Sequence, residues 1–325
     1  MTQTFQFGTV KNEYMTVKSL FSGAGGLDCG LTQAGLNVVE SYEYDRHACD
    51  TLANVGASDV YRCDITKLLL HGQLRTMVLT ATFPCKYFSC AGTRKYDDEL
   101  YLDAARFIRN LGPEIFVIEN VVGMKKSEVT MEAFMKMPGY YVKDFVLNVA
   151  DCGGPQNRKR LIIMGSKIPF EWDFTPVPPD KRTRLIDILE AGTTEPLTKG
   201  MLNRLNGAHP GQWSAHIKDP MVDDYANTCL AHYAKDRGEQ LVIDPVNRSI
   251  RPYTTKEYGR LQGFPDDYPF SGGKAATLRQ IGNAVSPYMA RMIGKEIIRY
   301  IRTVNPDLRA YNDIHGTVVK KEVLG

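Results

Sequence analysis

The sequence predicts an α/β fold built on a mostly parallel, doubly wound sheet, with a smaller, loop-rich second domain. Over the first 170 residues, short apolar runs alternate with helix-like patterns. This alternation is typical of parallel sheets, whose consecutive strands need helical crossover connections. A proline-rich segment then begins near residue 168, and few long apolar runs follow it before about residue 245. Such a change of composition indicates a linker and a separate small domain.

Six apolar runs are predicted to form the strands of the large sheet. Most of them end in glycine or in polar residues, and in doubly wound sheets ligands bind beyond the carboxyl ends of the strands. These polar ends are therefore the first places to look for a site. The runs span residues 14–23, 36–45, 59–65, 77–85, 113–123 and 160–167.

Helical spacing connects these strands and returns at the end of the chain. Residues 26–35 and 101–112 carry helix-like patterns, and 277–301 reads as one long helix after a turn. We expect the C-terminal helix to fold back onto the large domain. The sequence thus predicts a catalytic and cofactor-binding domain of residues 1–178 and 275–325, and a small domain of residues 179–274.

Composition places few demands on function. The chain has 325 residues and a formal net charge of +3, which permits a polyanionic partner without requiring one. We see no secretion signal and no apolar stretch long enough to cross a bilayer, so a cytoplasmic location is expected. Its seven cysteines are irregularly spaced and form no CxxC pair, which argues for free thiols and against a metal site.

The loop FSGAGGLDCG (21–30) and the acids after the next two strands indicate a nucleoside-containing cofactor. Gly23, Gly25 and Gly26 follow a strand and open a helix, where a ligand can approach the backbone. Their spacing is not GxGxxG, and tight strand–helix packing explains them about as well. Glu43 lies where a carboxylate can bind ribose hydroxyls, and Asp64 could accept from an adenine amino group.

Three further stretches carry reactive side chains. In FPCKYFSCAG, Cys85 follows a proline at the end of an apolar run and is either a nucleophile or a small core residue. Glu119 ends an apolar strand, where burial would raise its pKa and make it a proton donor. Arg158 and Arg160 alternate into a strand, so their guanidinium groups are expected on one face. A surface ion-pair role remains open for the two arginines.

Six motifs in this order make the chain similar to cytosine carbon-5 DNA methyltransferases of the bacterial restriction–modification type. This resemblance implies a Rossmann-like S-adenosylmethionine-dependent methyltransferase domain, with a smaller, loop-rich target-recognition domain in the variable stretch. The motifs span residues 19 to about 295. They are FSGAGGLDCG, FPCKYFSCAG, ENV (119–121), QNRKR (156–160), RPYTTKEYGRLQGFPDDY (251–268) and RQIGNAVSP (279–287).

The resemblance implies transfer of a methyl group to carbon 5 of a flipped-out cytosine in double-stranded DNA. Cys85 would add to carbon 6 of the base, which makes carbon 5 nucleophilic. Glu119 would bind or protonate ring nitrogen 3, and Arg160 with Arg158 would hold the base oxygen or a nearby phosphate. The resemblance also implies positioning roles in the reactive loop for Pro84 and Asn120.

Cofactor contacts follow from the same resemblance. We expect S-adenosylmethionine to lie against the glycine loop, with its ribose on Glu43 and its adenine near Tyr44 and Asp64. The full set of residues expected to contact it is Phe21, Gly23, Gly25, Gly26, Leu27, Glu43, Tyr44, Asp64, Ile65, Pro84, Leu100, Asn283 and Val285.

Contacts with DNA are expected from the reactive loop and from the segment that braces the recognition domain. Lys86 stands where the family usually has glutamine, and its ammonium would lower the thiol pKa or contact a phosphate. RKYDDELYL (94–102) also departs from the family pattern of the mobile loop. The expected DNA contacts are Lys86, Ser89, Arg94, Arg251 and Arg260. Candidate base readers, by residue type alone, are Arg182, Arg184, Arg204, His209 and Trp213.

Three alternatives stay open. The tRNA-methylating branch of the family keeps the same chemistry on another substrate. A catalytically inactive homologue that binds DNA or a partner would be expected to lack Cys85, Glu119 or the glycine loop, and all three are present. A nicotinamide-dependent enzyme would leave the thiol without a purpose. If the protein is a DNA methyltransferase of the restriction–modification type, we expect a monomer with no membrane partner. A restriction endonuclease would then be a partner that acts separately.

Overall fold

A computed structural model describes residues 15–68, 76–85, 88, 99–206 and 215–305. Ten strands and eight α-helices form within these ranges. The strands are β1 (Thr16–Leu20), β2 (Asn37–Glu43), β3 (Asp59–Arg62), β4 (Val78–Ala81), β5 (Ile115–Val121), β6 (Tyr141–Asn148), β7 (Lys159–Ser166), β8 (His216–Lys218), β9 (Gln240–Ile243) and β10 (Ile250–Pro252). The helices are α1 (Gly26–Ala34), α2 (Arg46–Val55), α3 (Leu100–Leu111), α4 (Glu128–Met135), α5 (Lys199–Leu205), α6 (Thr255–Gln262), α7 (Lys274–Asn283) and α8 (Pro287–Val304).

Seven strands form one sheet in the order β3-β2-β1-β4-β5-β7-β6. The first five strands run parallel, and β7 is antiparallel to both of its neighbours. The predicted α/β fold with a mostly parallel sheet is therefore confirmed. The chain order reverses between the adjacent strands β1 and β4, so their carboxyl ends meet at the point where ligands bind in such sheets.

Both faces of the sheet are buried, which explains the continuous apolar runs. On β5, Ile115 and Val117 belong to a core shared with α1 and α8, while Phe116 and Ile118 belong to a second core shared with α3 and α4. Successive side chains of a strand point to opposite faces, so a strand covered on both faces must be apolar at every position. The edge strand β6 was not predicted, because most of its side chains are partly or fully exposed.

Close packing of α1 against α8 fixes the glycine-rich helix. A side chain on Gly30 would overlap Ala290 and the carbonyl of Pro287, and a side chain on Gly294 would lie 2.6 Å from Ala34 Cβ. Glycine at these positions therefore lets the two helix backbones approach each other.

The long helix predicted over 277–301 is two helices, and that part of the prediction is wrong. α7 ends at Asn283, and Ala284 and Ser286 have extended backbone conformations before Pro287 begins α8. Proline lacks an N–H donor and disfavours helical conformation in the residue before it, so it starts a new helix here. The break leaves Asn283 exposed to solvent.

The part of the chain predicted as the small domain, residues 179–274, is called the small unit below. It contains the three-stranded sheet β10-β9-β8 and a third apolar cluster. This cluster includes Tyr233 and Tyr258, and it also takes in Leu278 and Ile281 of α7. α7 thus packs on the small unit's core, whereas α8 packs on the large sheet. The division at residue 274 remains a prediction.

None of the helices in the described ranges is both long and apolar enough to span a membrane. The same ranges hold no group of three or more His, Cys, Asp or Glu side chains arranged to hold a metal ion.

Replacing Gly30 with alanine should destabilise the protein. The methyl group would overlap α8, and overpacking of this kind costs about 1–3 kcal/mol. That cost opposes the gain of about 1 kcal/mol that alanine brings to a helix interior. Urea unfolding measures the change.

Gly200→Ala is the matched control. Gly200 also lies in a helix, but its nearest neighbour would be 3.9 Å from the new methyl group. It should be neutral or stabilising. Equal effects at both positions would contradict the packing argument.

Candidate active site

The carboxyl end of β5 places a nearly buried carboxylate beside an arginine of β7. The antiparallel register pairs Val121 with Arg160 and Glu119 with Ile162, so Glu119 and Arg160 share one face. Arg160 Nε lies 3.2 Å from Glu119 Oε1. Because Glu119 is only 7% exposed, this pairing offsets part of the cost of burying its charge.

Burial dominates the chemistry of Glu119. Desolvation raises the pKa of its carboxyl group above the ordinary value, while the positive charges of Arg160 and, to a lesser extent, Arg158 oppose the rise. The net direction is upward. Glu119 is therefore suited to hold a proton closer to neutral pH than an exposed glutamate, as the sequence predicts.

Cys85 follows β4 and is half-buried. Burial raises the pKa of its thiol, and the charge of Glu119 raises it further, while Arg160 and Arg158 lower it. The net direction is upward, which makes the free thiol protonated at neutral pH. Lys86, which is expected either to lower this pKa or to contact a phosphate, lies outside the described residues.

The Asn120 side chain, near the end of β5, links this strand to the loop that carries Cys85. Its amide nitrogen donates to the carbonyl of Phe83, 3.0 Å away, and its amide oxygen accepts from the backbone N–H of Val121. Pro84, the next residue of the loop, is exposed. The expected positioning role of Asn120 thus has a physical basis in these two hydrogen bonds.

Arg158 is placed differently from Arg160. It is 2% exposed, and its guanidinium donates to the carbonyls of Cys229, Gly282 and Ala284. Burial lowers its pKa to about 10, so it remains protonated at neutral pH. The expected contact with the base or a phosphate does not fit this position, because the guanidinium is buried and two of its nitrogens are taken by backbone carbonyls.

The loop after β1 lies beside the carboxyl end of β2, and we call this surface the cradle. Phe21 has φ +56°, a left-handed conformation rare for a bulky residue and frequent at binding sites. Gly23, also at φ +56°, has open space where a side chain would lie. The Glu43 carboxylate accepts from the backbone N–H groups of Gly23, Tyr44 and Asp45. The loop is thus held in place by the same carboxylate that is expected to bind ribose.

Gly25 and Gly26 serve packing instead of opening onto a ligand. A side chain on Gly25 would meet Leu52 and the hydroxyl of Tyr268, and one on Gly26 would overlap the Val285 carbonyl. Tyr268 itself donates to the carbonyl of Ala24 at 2.7 Å. Of the three predicted glycines, Gly23 is the one with open space where a side chain would lie, and cofactor contacts of Gly25 and Gly26 stay predictions.

The remaining cofactor candidates divide by exposure. Tyr44 is 73% exposed, Asn283 is exposed, and Leu100 is half-buried at the start of α3. Asp64 is partly exposed and accepts from both the N–H and the hydroxyl of Thr66, which lowers its pKa. Three others pack mainly in the apolar cores: Leu27, Ile65 and Val285.

Of the two DNA contacts expected in the bracing segment, the structure corrects Arg251, and Arg260 stays a prediction. Arg251 is completely buried and pairs with Asp244 and Glu257, so it braces the small unit from inside. Arg260 is partly exposed, but its guanidinium is engaged by Asp266. A buried guanidinium with two carboxylate partners cannot reach a phosphate.

The candidate base readers are described only in part. Arg184 is more than half exposed and pairs with Asp187. Arg182 pairs with Asp151, and Arg204 pairs with Asp236. The following expected DNA contacts lie outside the described residues: Lys86, Ser89, Arg94, His209 and Trp213.

Sequence reasoning missed several buried polar residues around this site. Asp28, in the first turn of α1, has its pKa raised to about 6 by burial, and its Oδ1 has no hydrogen-bond partner among the described residues. Gln156 and Gln262 are fully buried and bonded to each other. Gln156 stands inside the QNRKR motif, but its partner is 106 residues away and no local pattern reveals it.

Comparison with known proteins now decides the family. The sequence profile described as C-5 cytosine-specific DNA methylase matches residues 15–299. The chain belongs to this family. The family and enzyme class predicted from the motifs, a DNA cytosine-5 methyltransferase, are confirmed.

Related proteins support the same assignment. The type II methyltransferase M.PspPI of Psychrobacter sp. is 32% identical over 340 residues, covering 89% of this chain and 80% of the relative. M.NlaX of Neisseria lactamica is 32% identical over 306 residues, covering 86% and 94%. Both are thus similar to this chain over most of their lengths.

Solved structures share the fold. S. pombe Dnmt2 methyltransferase matches with a TM-score of 0.71, 20% identity, and coverage of 90% of this chain and 99% of the other. Entamoeba histolytica methyltransferase EhMeth matches with a TM-score of 0.70, 17% identity, and coverage of 88% and 98%.

Replacing Glu119 with glutamine should speed alkylation of Cys85. The substitution removes the negative charge that raises the thiol pKa, so a larger fraction of Cys85 is thiolate at a given pH. The measurement is the iodoacetamide rate at Cys85 by peptide mass spectrometry between pH 7 and 9.

The wild-type rate should still be rising at pH 9, because burial and Glu119 hold the thiol pKa above its ordinary value. Glu132→Gln, on the exposed surface of α4, is the matched control. A slower rate in Glu119→Gln, or a wild-type plateau below pH 8, would contradict the account.

Proposed function

We propose that the protein transfers a methyl group to carbon 5 of a cytosine in double-stranded DNA, through a covalent bond between Cys85 and carbon 6. The observation that carries the proposal is the Glu119–Arg160 pair beside the reactive cysteine. A cofactor-binding domain alone would need the glycine loop but not these groups.

Cys85 supplies the nucleophile. Its thiol must lose a proton before attack, since the thiolate is the reactive form and the pKa is raised in the free protein. Attack forms the sulfur–carbon 6 bond and moves the ring's π electrons toward carbon 5 and nitrogen 3. Carbon 5 thereby becomes nucleophilic.

Glu119 and Arg160 stabilise the charge that this attack creates. Glu119 donates its proton to ring nitrogen 3, which the raised pKa of a buried carboxyl permits near neutral pH. Arg160 then faces a carboxylate at 3.2 Å and stabilises it. The Arg160 guanidinium, which lies beside Glu119, can also bind the base oxygen.

Completion of the reaction regenerates the enzyme. After carbon 5 has accepted the methyl group, it loses its proton to solvent, and the electron pair left behind expels the Cys85 thiolate. Nitrogen 3 returns its proton to Glu119. The target base must leave the helical stack for these side chains to reach it, so base flipping is part of the proposal.

The donor set of the cradle fits S-adenosylmethionine. Glu43 and Asp64 offer carboxylate oxygens at the ends of β2 and β3, where ribose hydroxyls and an adenine amino group can be bound. Gly23 leaves the space for a close backbone approach. Phe21 and Asn283 belong to the same proposed set. When bound, this cofactor supplies the methyl group.

The small unit is proposed to read the DNA sequence. It carries exposed side chains such as Arg184, while its interior is braced by Arg251. A division of labour follows, in which the large sheet holds the chemistry and the small unit supplies base contacts. A monomer has all the residues that this scheme uses, and a restriction endonuclease would act separately.

A tRNA substrate is the second candidate, because the same side chains would serve it. The two substrates can be separated directly, since carbon-5 methylation can be assayed on unmethylated duplex DNA and on unmodified tRNA. An inactive regulatory role is disfavoured by the preserved Cys85, Glu119 and Arg160.

Purified protein should methylate unmethylated genomic DNA within one short sequence. Base-resolution mapping of 5-methylcytosine after incubation with S-adenosylmethionine is the measurement. Cys85→Ala should abolish the product, and Glu119→Gln should lower the rate by about 10²–10⁴-fold through loss of the proton donor.

Cys152→Ala is the matched control, because Cys152 is a buried core cysteine and should keep activity. Methylation of tRNA but not of DNA would redirect the assignment to the second candidate. Methylation that survives in Cys85→Ala would overturn the nucleophile.

A further inference from the structure

A buried cation that pairs with no carboxylate joins three parts of the molecule. Arg158 makes no ion pair within the described ranges, and its charge is met by backbone carbonyls instead. Burying a guanidinium is costly, so these contacts must be held firmly to satisfy it. A residue placed in this way has a positional role that an apolar side chain could not fill.

Two of the three carbonyls flank Asn283. The guanidinium Nη2 donates to Ala284 at 2.9 Å and to Gly282 at 3.3 Å, at the break between α7 and α8. Asn283 and Val285 belong to the set of residues proposed to contact the cofactor, and we call residues 281–286 the cofactor wall. Arg158 therefore fixes the backbone on both sides of an exposed residue of that wall.

The third carbonyl belongs to the small unit. Nη1 donates to Cys229 at 2.6 Å, within the third apolar cluster. Tyr258 holds the adjacent peptide, since its hydroxyl accepts from the Leu230 N–H and donates to the Leu230 carbonyl. A side chain on Gly282 would overlap residues 230–231, so the two segments lie in direct contact.

Two buried glutamine side chains add further hydrogen bonds between the small unit and the α7–α8 break. Gln156 donates to Leu261 and to Gln262 and accepts from the Cys229 N–H, while Gln262 donates to Ile281 and Ala284. Both glutamines are 0% exposed. Residues 227–231 and 281–286 are thus joined through one hydrogen-bonded network that includes Arg158, whose Nη1 and Nη2 are bonded and whose buried Nε has no partner among the described residues.

We propose that Arg158 is a positioning residue that couples the order of the cofactor wall (281–286) to the order of the small-unit segment 227–231. This inference rests on the proposed function. Cofactor binding at the wall restrains carbonyls 282 and 284, which fixes the guanidinium and hence carbonyl 229. Ordering that is shared between two sites makes the second binding event cost less conformational entropy. The cofactor would thereby prepare the small unit for DNA.

Hydrogen–deuterium exchange of the full-length protein tests the coupling, with S-adenosylhomocysteine as the unreactive probe. In the wild type the probe should slow exchange in both 281–286 and 227–231, by about 5-fold or more in the second segment, the lower end of ordinary coupling factors. Arg158→Lys keeps the charge but replaces the two guanidinium nitrogens, one of which bonds Cys229 and the other the 282–284 backbone, with a single nitrogen. In this variant, slowing should persist in 281–286 and disappear in 227–231.

Two further variants keep the test sharp. Arg299→Lys removes a guanidinium contact to a backbone carbonyl elsewhere, on α8, and should behave as the wild type. Tyr258→Phe leaves Arg158 intact but frees the Leu230 peptide, so it should weaken the slowing in 227–231. It answers the question even if Arg158→Lys does not fold.

The outcomes separate the two proposals. Slowing confined to 281–286 in the wild type, or slowing of 227–231 that is unchanged in Arg158→Lys, would overturn the coupling alone. If Arg158→Lys does not fold, unchanged slowing of 227–231 in Tyr258→Phe overturns it. No slowing anywhere in the wild type would overturn the cofactor assignment, and the coupling with it.

Discussion

The buried carboxylate at the end of β5 is the constraint on which the arrangement depends. Glu119 cannot remain charged among apolar neighbours without a cation, and Arg160 supplies one only because β7 lies antiparallel beside β5. That strand also brings in Gln156 and Arg158, just before it begins. One register therefore positions the buried Glu119 carboxylate and the residues that contact the small unit.

The shape of the glycine-rich loop depends on contacts with residues near the C-terminal helices. Phe21 and Gly23 take left-handed conformations, and Gly23 has open space where a side chain would lie. Gly25 and Gly26 face inward, where Tyr268 and the α7–α8 break press against them. The loop is thus shaped from behind by residues more than 200 positions later, and the cofactor cradle depends on the C-terminal helices as much as on β1.

Local sequence patterns predicted the parts of the fold that follow from local physics. Apolar runs on a sheet buried on both faces are visible in the sequence, and so is a cysteine after a proline at a strand end. The motifs also led to Glu119 and Arg160, which the structure brings into contact. The exposed edge strand β6 was missed because its side chains do not carry that apolar signal.

Long-range contacts account for the errors. Arg251 was expected to contact DNA, and Arg158 to hold the base oxygen or a nearby phosphate, since a basic side chain carries no local sign of burial. Only the fold shows that Asp244 and Glu257 enclose the first, and that carbonyls from two segments enclose the second. The broken helix is an exception with a local cause, because Pro287 lacks an N–H donor and begins a new helix, a signal that the prediction of one helix overlooked.

The most direct test of the central claim is to trap the bond between Cys85 and cytosine. Incubation with S-adenosylmethionine and a duplex carrying 5-fluorocytosine at the mapped target should stall the reaction, since carbon 5 then has no proton to lose. The account predicts a protein–DNA adduct that survives denaturation, with peptide mass spectrometry placing the DNA on Cys85. An active enzyme that forms no adduct, or one attached to another residue, would contradict it.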